Sequence, residues 1–307
     1  MAKANSEGSV TLYTPPPQTK VDAWTTGFAK AFPKIKLSVF TASPGQILAK
    51  LSADQQGGTG VADVLALSQD SPTSAMATYD SQGQLVPLTG PNFQLPDMKA
   101  AIASPNRFYV YATVFGWAWN THLLPNGIHS WKDFLAPGLA NGKIAVWDPS
   151  PAPILPAYYE GQVTASGDSN WLKDLAAQKP NIYSTSVAME NAVASGEVAA
   201  TLFASQRVLT LKSQGAPVDF AIPATGAGVS FLEGGVSKSA PHPYAAQVLA
   251  NWLASVEGQQ AVEVTGTPAR ANVPGSTGEF AKLMPTKLIS QTDANAFVNQ
   301  FNSMFHK

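Results

Sequence analysis

The segment SGEVAATLFASQRVLTLKSQGA, residues 195–216, constrains the fold most, because it reads as a buried strand that runs directly into a helix. Residues 198–203 are small or apolar without alternation, which is typical of a strand covered on both faces. An apolar helical stripe then begins at Val208, and Gly215 can end it. A doubly covered strand followed by a helix indicates an α/β fold.

Three polar residues, Ser205, Gln206 and Arg207, separate this strand from its helix. Open α/β sheets bind ligands beyond the carboxyl ends of their strands, where the next helix presents unpaired N–H groups. Two interpretations of Arg207 follow. It is either an arginine on the exposed side of a helix's first turn or a charged group placed at a ligand site.

The N-terminal third alternates strands and helices. Strands are predicted at 8–14, 35–40 and 61–67, with helices at 19–32 and from residue 43 onwards. This order predicts a parallel sheet with right-handed crossovers.

Polar residues again follow these strands. Ser43 is the predicted N-cap of the second helix, with Pro44 at its first position. The start of this helix is a candidate anion-binding site. Ser68 and Gln69 directly follow the third strand.

The rest of the chain continues the α/β pattern. Residues 108–120 form a long strand-like run, which we expect to pass from one lobe to another, and 142–148 is a further strand. Residues 149–159 are interpreted as a proline-rich connection. Amphipathic helices are predicted over 241–255 and 293–305.

Composition argues against several classes of function. The chain has 307 residues, with 19 Lys plus Arg against 20 Asp plus Glu, so no excess of positive charge points to nucleic acid or anionic lipid. It has no cysteine, which excludes disulfides, thiolate metal sites and a cysteine nucleophile. No GxSxG, P-loop, HExxH or GxGxxG motif supports an enzyme, although a cleft enzyme stays as an alternative.

Four segments together resemble the extracytoplasmic solute-binding proteins of ABC importers, in the two-lobed group with ferric-ion- and phosphonate-binding members. They are VADVLALSQD (61–70) with GQLVPL (83–88), residues 130–150, residues 192–203, and residues 237–260. Their order and spacing cover nearly the whole chain.

This resemblance implies a type II periplasmic-binding-protein fold, with two lobes of mainly parallel sheet flanked by helices and a ligand cleft between them. Lobe 1 is expected at 1–113 plus 229–290, lobe 2 at 114–228, and a C-terminal helix at 291–307. The resemblance also implies a monomeric, non-enzymatic protein that closes about a hinge. Its implied partners are a small ligand and membrane permease subunits. The start, MAKANSEGSV, has no hydrophobic signal region, which fits either a cytosolic protein or one whose signal peptide was removed and an initiator Met added. The resemblance implies the second, a processed, periplasmic or membrane-associated extracellular protein.

An alternative that the resemblance implies is a ferric-ion-binding transport protein. The iron-binding His, Glu and Tyr pair of the family fall at about Pro17, Ser68, and Gln206 with Arg207. None of these is a hard anionic ligand for a trivalent cation. Tyr158 and Tyr159 lie in another segment, where packing is the simpler interpretation, so we expect no metal and no cofactor.

The same positions predict a different ligand. The candidate ligand-binding residues are Arg207, Gln206, Ser205, Ser43, Ser68, Gln69, Ser150, Ser186 and Trp147. One arginine among hydroxyls, amides and helix N-termini favours a small organic anion such as a phosphonate, phosphate ester or carboxylate. The prolines around Ser150 remove backbone N–H donors from that turn, so a larger ligand that stacks on Trp147 also fits.

Overall fold

The computed structural model describes residues 1–15, 18–58, 62–69, 74–152, 154–261, 266–271, 273–274, 280–283 and 286–306. Its helices are α1 (Ala2–Glu7), α2 (Gln18–Ala31), α3 (Pro44–Gln56), α4 (Ala75–Ser81), α5 (Ile154–Ser166), α6 (Trp171–Ala177), α7 (Ser186–Ser195), α8 (Arg207–Ser213), α9 (Pro243–Leu253), α10 (Val256–Gln260) and α11 (Gln291–Phe305). Its strands are β1 (Ser9–Thr14), β2 (Lys36–Thr41), β3 (Val64–Ser68), β4 (Leu85–Val86), β5 (Ile102–Ser104), β6 (Arg107–Asn120), β7 (Ile144–Trp147), β8 (Asn181–Tyr183), β9 (Ala200–Ala204), β10 (Val218–Ala221), β11 (Gly228–Ser237) and β12 (Thr267–Pro268).

The chain divides into two compact units. Unit 1 comprises Met1–Gln69, Thr73–Ala112 and Phe231–Leu283, and unit 2 is built mainly from Thr113–Ser230 and Met284–Lys307. Two strands, β6 and β11, contain residues of both units, so the polypeptide passes between the units within these strands.

Unit 1 contains a parallel core of three strands in the order β2-β1-β3, with β11 antiparallel to β3. The predicted β-α-β-α-β order is present, with α2 and α3 as the connecting helices. Because the three strands are parallel, Thr14, Thr41 and Ser68 end them at the same edge of the sheet. We call this edge the carboxyl edge of unit 1.

The burial of α2 explains why this helix forms. Trp24 and Phe28 lie four residues apart on one face and are fully buried. Phe28 packs edge-on against Trp252 of α9, with ring centroids 5.5 Å apart. Burying two aromatic side chains of this size stabilises the unit by several kcal/mol, about 1.5–3 kcal/mol for each large apolar side chain.

Unit 2 has a second parallel core in the order β8-β7-β9, and β9 pairs antiparallel with the C-terminal half of β6. The outer partner of β6 is β10, which pairs with it over Trp117 to Asn120. Trp147, Tyr183 and Ala204 end the three parallel strands at one edge, the carboxyl edge of unit 2.

The proline-rich segment differs from its prediction. Residues 149–159 were interpreted as a connection, yet α5 begins at Ile154 and includes Pro156. A proline in the first turn of a helix is tolerated because the N–H groups there have no partner within the helix. Tyr158 and Tyr159 therefore lie within a helix, and both are buried in the core of unit 2, as the packing interpretation predicted.

The two chain ends are both helical. The N-terminal α1 was not predicted, and the Glu7 carboxylate at its end accepts a hydrogen bond of 2.7 Å from the Ala245 N–H in the first turn of α9. At the other end, α11 packs on α5 and α6 through Phe297 and Phe301, whose rings contact Tyr159. Within the parts of the chain that the structure describes, no helix has both the length and the apolar character needed to cross a bilayer.

Candidate functional site

Arg207 is the first residue of α8 and forms an ion pair within unit 2. Its Nη1 donates to the Glu190 carboxylate at 3.0 Å, and its Nη2 donates to Asn191 Oδ1 at 3.1 Å. Glu190 lies on α7 and its side chain is 0% exposed, whereas that of Arg207 is 29% exposed. The guanidinium is therefore held at the junction between β9 and α8 with part of its surface open.

Ser205 completes this cluster from the end of β9. Its backbone N–H and its hydroxyl both donate to Glu190 Oε1, at 2.8 and 2.7 Å, and its Oγ accepts the N–H of Arg207 at 3.2 Å. We call Glu190, Asn191, Ser205 and Arg207 the Glu190 cluster. Its two formal charges cancel, so Arg207 offers directed N–H donors to a ligand without adding net positive charge.

The sequence analysis missed Glu190, although a signal was present. It is the one acidic residue of SVAMENAVAS, a helix whose neighbouring positions Met189, Ala192 and Val193 are buried. A carboxylate on an apolar helix face requires a partner, because an isolated buried charge costs several kcal/mol. The arginine after the next strand is that partner.

Trp147 and Ser150 lie at the end of β7 and in the turn that follows. The Trp147 indole N–H donates to the Ser184 carbonyl at 3.1 Å, and its ring makes an edge contact with Phe115 at 5.3 Å. Trp147 is half-buried, so part of its ring is accessible. The Ser150 N–H donates to Asp148 Oδ1 at 2.8 Å, so the backbone donor of this candidate residue is already occupied.

Ser186 and Gln206 are the remaining candidates of unit 2. Ser186 is the first residue of α7, and Thr185 acts as the N-cap by accepting the Ala188 N–H at 3.2 Å. Gln206 precedes α8 and is 3% exposed. Thus Trp147, Ser150, Ser186 and the Ser205–Arg207 segment all follow or end strands at the carboxyl edge of unit 2.

Ser43 caps α3 in unit 1, as predicted. Its Oγ accepts the Gln46 N–H at 3.4 Å, while its own N–H and hydroxyl donate to Gln46 Oε1 at 3.1 and 2.9 Å. This reciprocal arrangement is a capping box. The Gln46 side chain therefore occupies the N–H and the hydroxyl of Ser43, and the Gln46 N–H is taken by Ser43 Oγ.

Ser68 and Gln69 lie at the carboxyl edge of unit 1 and are half-buried. The Gln69 backbone N–H donates to the Phe231 carbonyl at 2.9 Å. Neither side chain makes a hydrogen bond to another residue in the described part of the chain, so both are available to a ligand. The predicted site residues thus form two groups, one at the carboxyl edge of each unit.

Across the described ranges, no group of three or more His, Cys, Asp or Glu side chains has the geometry to hold a metal ion. Pro17, the position that corresponds to the family's iron-binding His, lies outside the described residues.

Comparison with known proteins identifies the family. Residues 11–267 match the sequence family described as "Bacterial extracellular solute-binding protein". The chain belongs to this family. No curated protein sequence matches this solute-binding protein significantly.

Solved structures share its fold. The substrate-binding protein of an ABC transporter from Agrobacterium tumefaciens has a TM-score of 0.74 at 16% identity, covering 99% of this chain and 97% of the other. Iron-bound HitA from Pseudomonas aeruginosa has a TM-score of 0.72 at 20% identity, covering 95% and 99%. AfuA from Actinobacillus pleuropneumoniae, a periplasmic binding protein with fructose-6-phosphate bound, has a TM-score of 0.69 at 20% identity, covering 97% and 99%.

These comparisons confirm the predicted family resemblance and the two-lobed α/β fold class of periplasmic binding proteins. They also identify the general function, because the family consists of extracellular proteins that bind solutes. The solutes named for the structural relatives differ, with iron in one and a sugar phosphate in another.

Proposed function

We propose that this protein is the solute-binding component of an ABC importer and that its solute is a small organic anion, such as a phosphonate, phosphate ester or carboxylate. The proposal includes residence outside the cytoplasm, in the periplasm or tethered at the outer face of a membrane. Its implied partners are permease subunits in that membrane. Capture by hinge closure belongs to the same proposal, since a ligand that prefers one conformation shifts the population towards it.

The arrangement of Arg207 is the observation that supports an anion. A guanidinium has five N–H donors, and the pair of hydrogen bonds to Glu190 and Asn191 leaves the other N–H groups without a partner among the described residues. The buried Glu190 carboxylate already holds the Arg207 side chain in place. Binding of an anion to Arg207 therefore costs little additional side-chain conformational entropy.

Hydroxyl and amide side chains at the carboxyl edge of each unit suit the same ligand. Ser68, Gln69 and Ser186 carry side chains that donate hydrogen bonds to oxyanions, and each lies at the carboxyl edge of its unit. The accessible part of Trp147 favours an organic ligand over a bare inorganic ion, because an aromatic face contributes apolar contact area.

Native mass spectrometry of protein isolated from its host without dialysis tests this function. The expected result is a noncovalent adduct that is released on denaturation and ionises in negative mode as a small organic acid. A coloured preparation that contains stoichiometric iron would instead support the ferric alternative. A released neutral or cationic solute would also contradict the anion proposal.

A further inference from the structure

Lys20 is a buried lysine without an acidic partner among the described residues. It is the third residue of α2, it is 5% exposed, and its Nζ lies 3.6 Å from the centroid of the Tyr111 ring. No carboxylate of the described residues forms an ion pair with it. Buried lysines are rare unless they are paired, because the ammonium loses its hydration.

Three further buried polar side-chain groups among the described residues of unit 1 have no hydrogen-bond partner. They are the Thr14 hydroxyl at the end of β1 and the indole N–H groups of Trp24 and Trp252, which are 0%, 0% and 3% exposed. Trp24 lies one helical turn after Lys20, and its ring centroid is 6.3 Å from that of Tyr111. Buried polar groups are nearly always hydrogen-bonded, so the Thr14 hydroxyl, at the end of the strand that precedes α2, can donate to a polar ligand.

The topology brings Lys20 to the carboxyl edge of unit 1. The ring of Tyr109 lies 4.9 Å from that of Phe231, and the next residue, Leu232, pairs with Ser68 at that edge. Tyr111 is two residues further along β6, beside the point where the strand leaves unit 1 after Ala112. Lys20 is six residues after Thr14, the last residue of β1, and lies in the first turn of α2.

The charged groups on neighbouring elements do not neutralise Lys20. Lys36 of β2 and Glu257 of α10 are exposed, and Arg107 of β6 is paired with Asp80 and Glu233. Burial raises the pKa of Tyr111, which keeps its phenol neutral. Burial likewise lowers the pKa of Lys20 to about 7, so its charged form is disfavoured while no anion is present.

We propose that Lys20 is the residue of unit 1 that binds the acidic group of the solute, with the Thr14 hydroxyl as a second donor. The inference rests on the proposed function and specifies its ligand contact. An anion beside Lys20 favours the ammonium, so the site takes up a proton when it binds an anion at a pH at which the free amine is neutral.

Calorimetry tests this assignment with a fixed panel of inorganic phosphate, fructose 6-phosphate, citrate and succinate. Titrations at pH 8, in buffers of different ionisation enthalpy, report both affinity and the protons taken up. The variants are Lys20→Met, Lys20→Gln and the matched control Lys30→Met, which removes an exposed lysine of the same helix. Urea unfolding of each variant verifies that it is folded.

The wild type is expected to bind at least one panel anion and to take up a fraction of a proton. Both Lys20 variants should lose about 30-fold in affinity, together with the proton uptake, while Lys30→Met binds like the wild type. Anion binding that is unchanged in both Lys20 variants would overturn this inference and leave the proposed function standing. A wild type that binds no panel anion would contradict both.

Discussion

The fully buried Glu190 carboxylate accepts the Arg207 guanidinium at 3.0 Å, and this pair fixes the arginine at the start of α8. The pair joins α7 to the junction between β9 and α8. The two residues therefore contribute jointly to the free energy of unfolding, and mutations of one or both can measure their coupling energy.

Replacing Arg207 with Met should lower the free energy of unfolding by about 3 kcal/mol, because it leaves Glu190 as an uncompensated buried charge. The double variant Arg207→Met/Glu190→Gln should recover much of this loss, since both charges are removed. Urea denaturation of the wild type, both single variants and the double variant gives the coupling energy. Additive effects would show that the pair is not coupled.

The lowered pKa of Lys20 should make the free energy of unfolding depend on pH. Because burial lowers its pKa to about 7 in the folded protein, against 10.5 for an ordinary lysine, the unfolded state binds more protons between these values. Stability should therefore rise with pH by about 1.4 kcal/mol per unit from about pH 7 towards 10.5. This pH range lies above neutral pH because the pKa of Lys20 is lower in the folded protein than in the unfolded protein.

Urea midpoints at pH 7.5 and pH 9 measure this rise, and Lys20→Met is the control that removes it. Equal slopes in the two proteins would mean that Lys20 titrates normally. The comparison with Lys20→Met is needed because it isolates the contribution of Lys20 from that of every other group in the protein.

Asp80 should contribute to the acid sensitivity of unit 1. Burial alone would raise the pKa of this carboxyl, but hydrogen bonds from Asn106, Ser104 and Arg107 and the charge of Arg107 together lower it. Its stabilisation is complete above the unfolded value of 3.8 and is lost as pH falls through the lower folded value.

Asp80→Asn should thus be less stable than the wild type near neutral pH, by about 1–3 kcal/mol, and the difference should shrink below pH 4. Circular dichroism during acid titration of both proteins follows this convergence. A difference that stays constant down to pH 2 would contradict an ionised, hydrogen-bonded Asp80.

Gly116 should tolerate no side chain, because a Cβ at this position of β6 would overlap the backbone carbonyl oxygen of Ala221 in β10. Gly116→Ala is expected to destabilise the protein by about 2 kcal/mol, which urea unfolding measures. Gly161→Ala in α5 is the matched control, since a Cβ there meets open space and alanine favours the helix. Equal unfolding midpoints for the two variants would refute the close approach of β10.

Local sequence patterns predicted the elements that carry the site. The small and apolar run before Ser205 predicted β9, and the Ser-Pro-Gly-Gln sequence predicted the capped start of α3. The same sequence contains the spacing of a capping box, so the occupation of Ser43 by Gln46 could also have been predicted. The segment around Pro156 was misread because prolines signal both loops and first helical turns.

Contacts between distant segments could not be read from the sequence. Arg207 was predicted to bind an external anion, but its bond to Glu190 depends on how α7 packs beside β9. Lys20 was overlooked because a lysine in a first helical turn is normally solvated. Its burial follows from the position of Tyr111, which is more than 90 residues away in the sequence.

A thermal-shift screen of the wild-type protein against anionic metabolites, with neutral sugars, polyamines and ferric citrate as comparison ligands, tests the central claim most directly. A solute present at one hundred times its dissociation constant adds about 2.7 kcal/mol of stability. We predict a clear rise in Tm with at least one small organic anion and none with its neutral or amidated analogue. Stabilisation by ferric citrate, polyamines or neutral sugars, with no response to organic anions, would contradict the account.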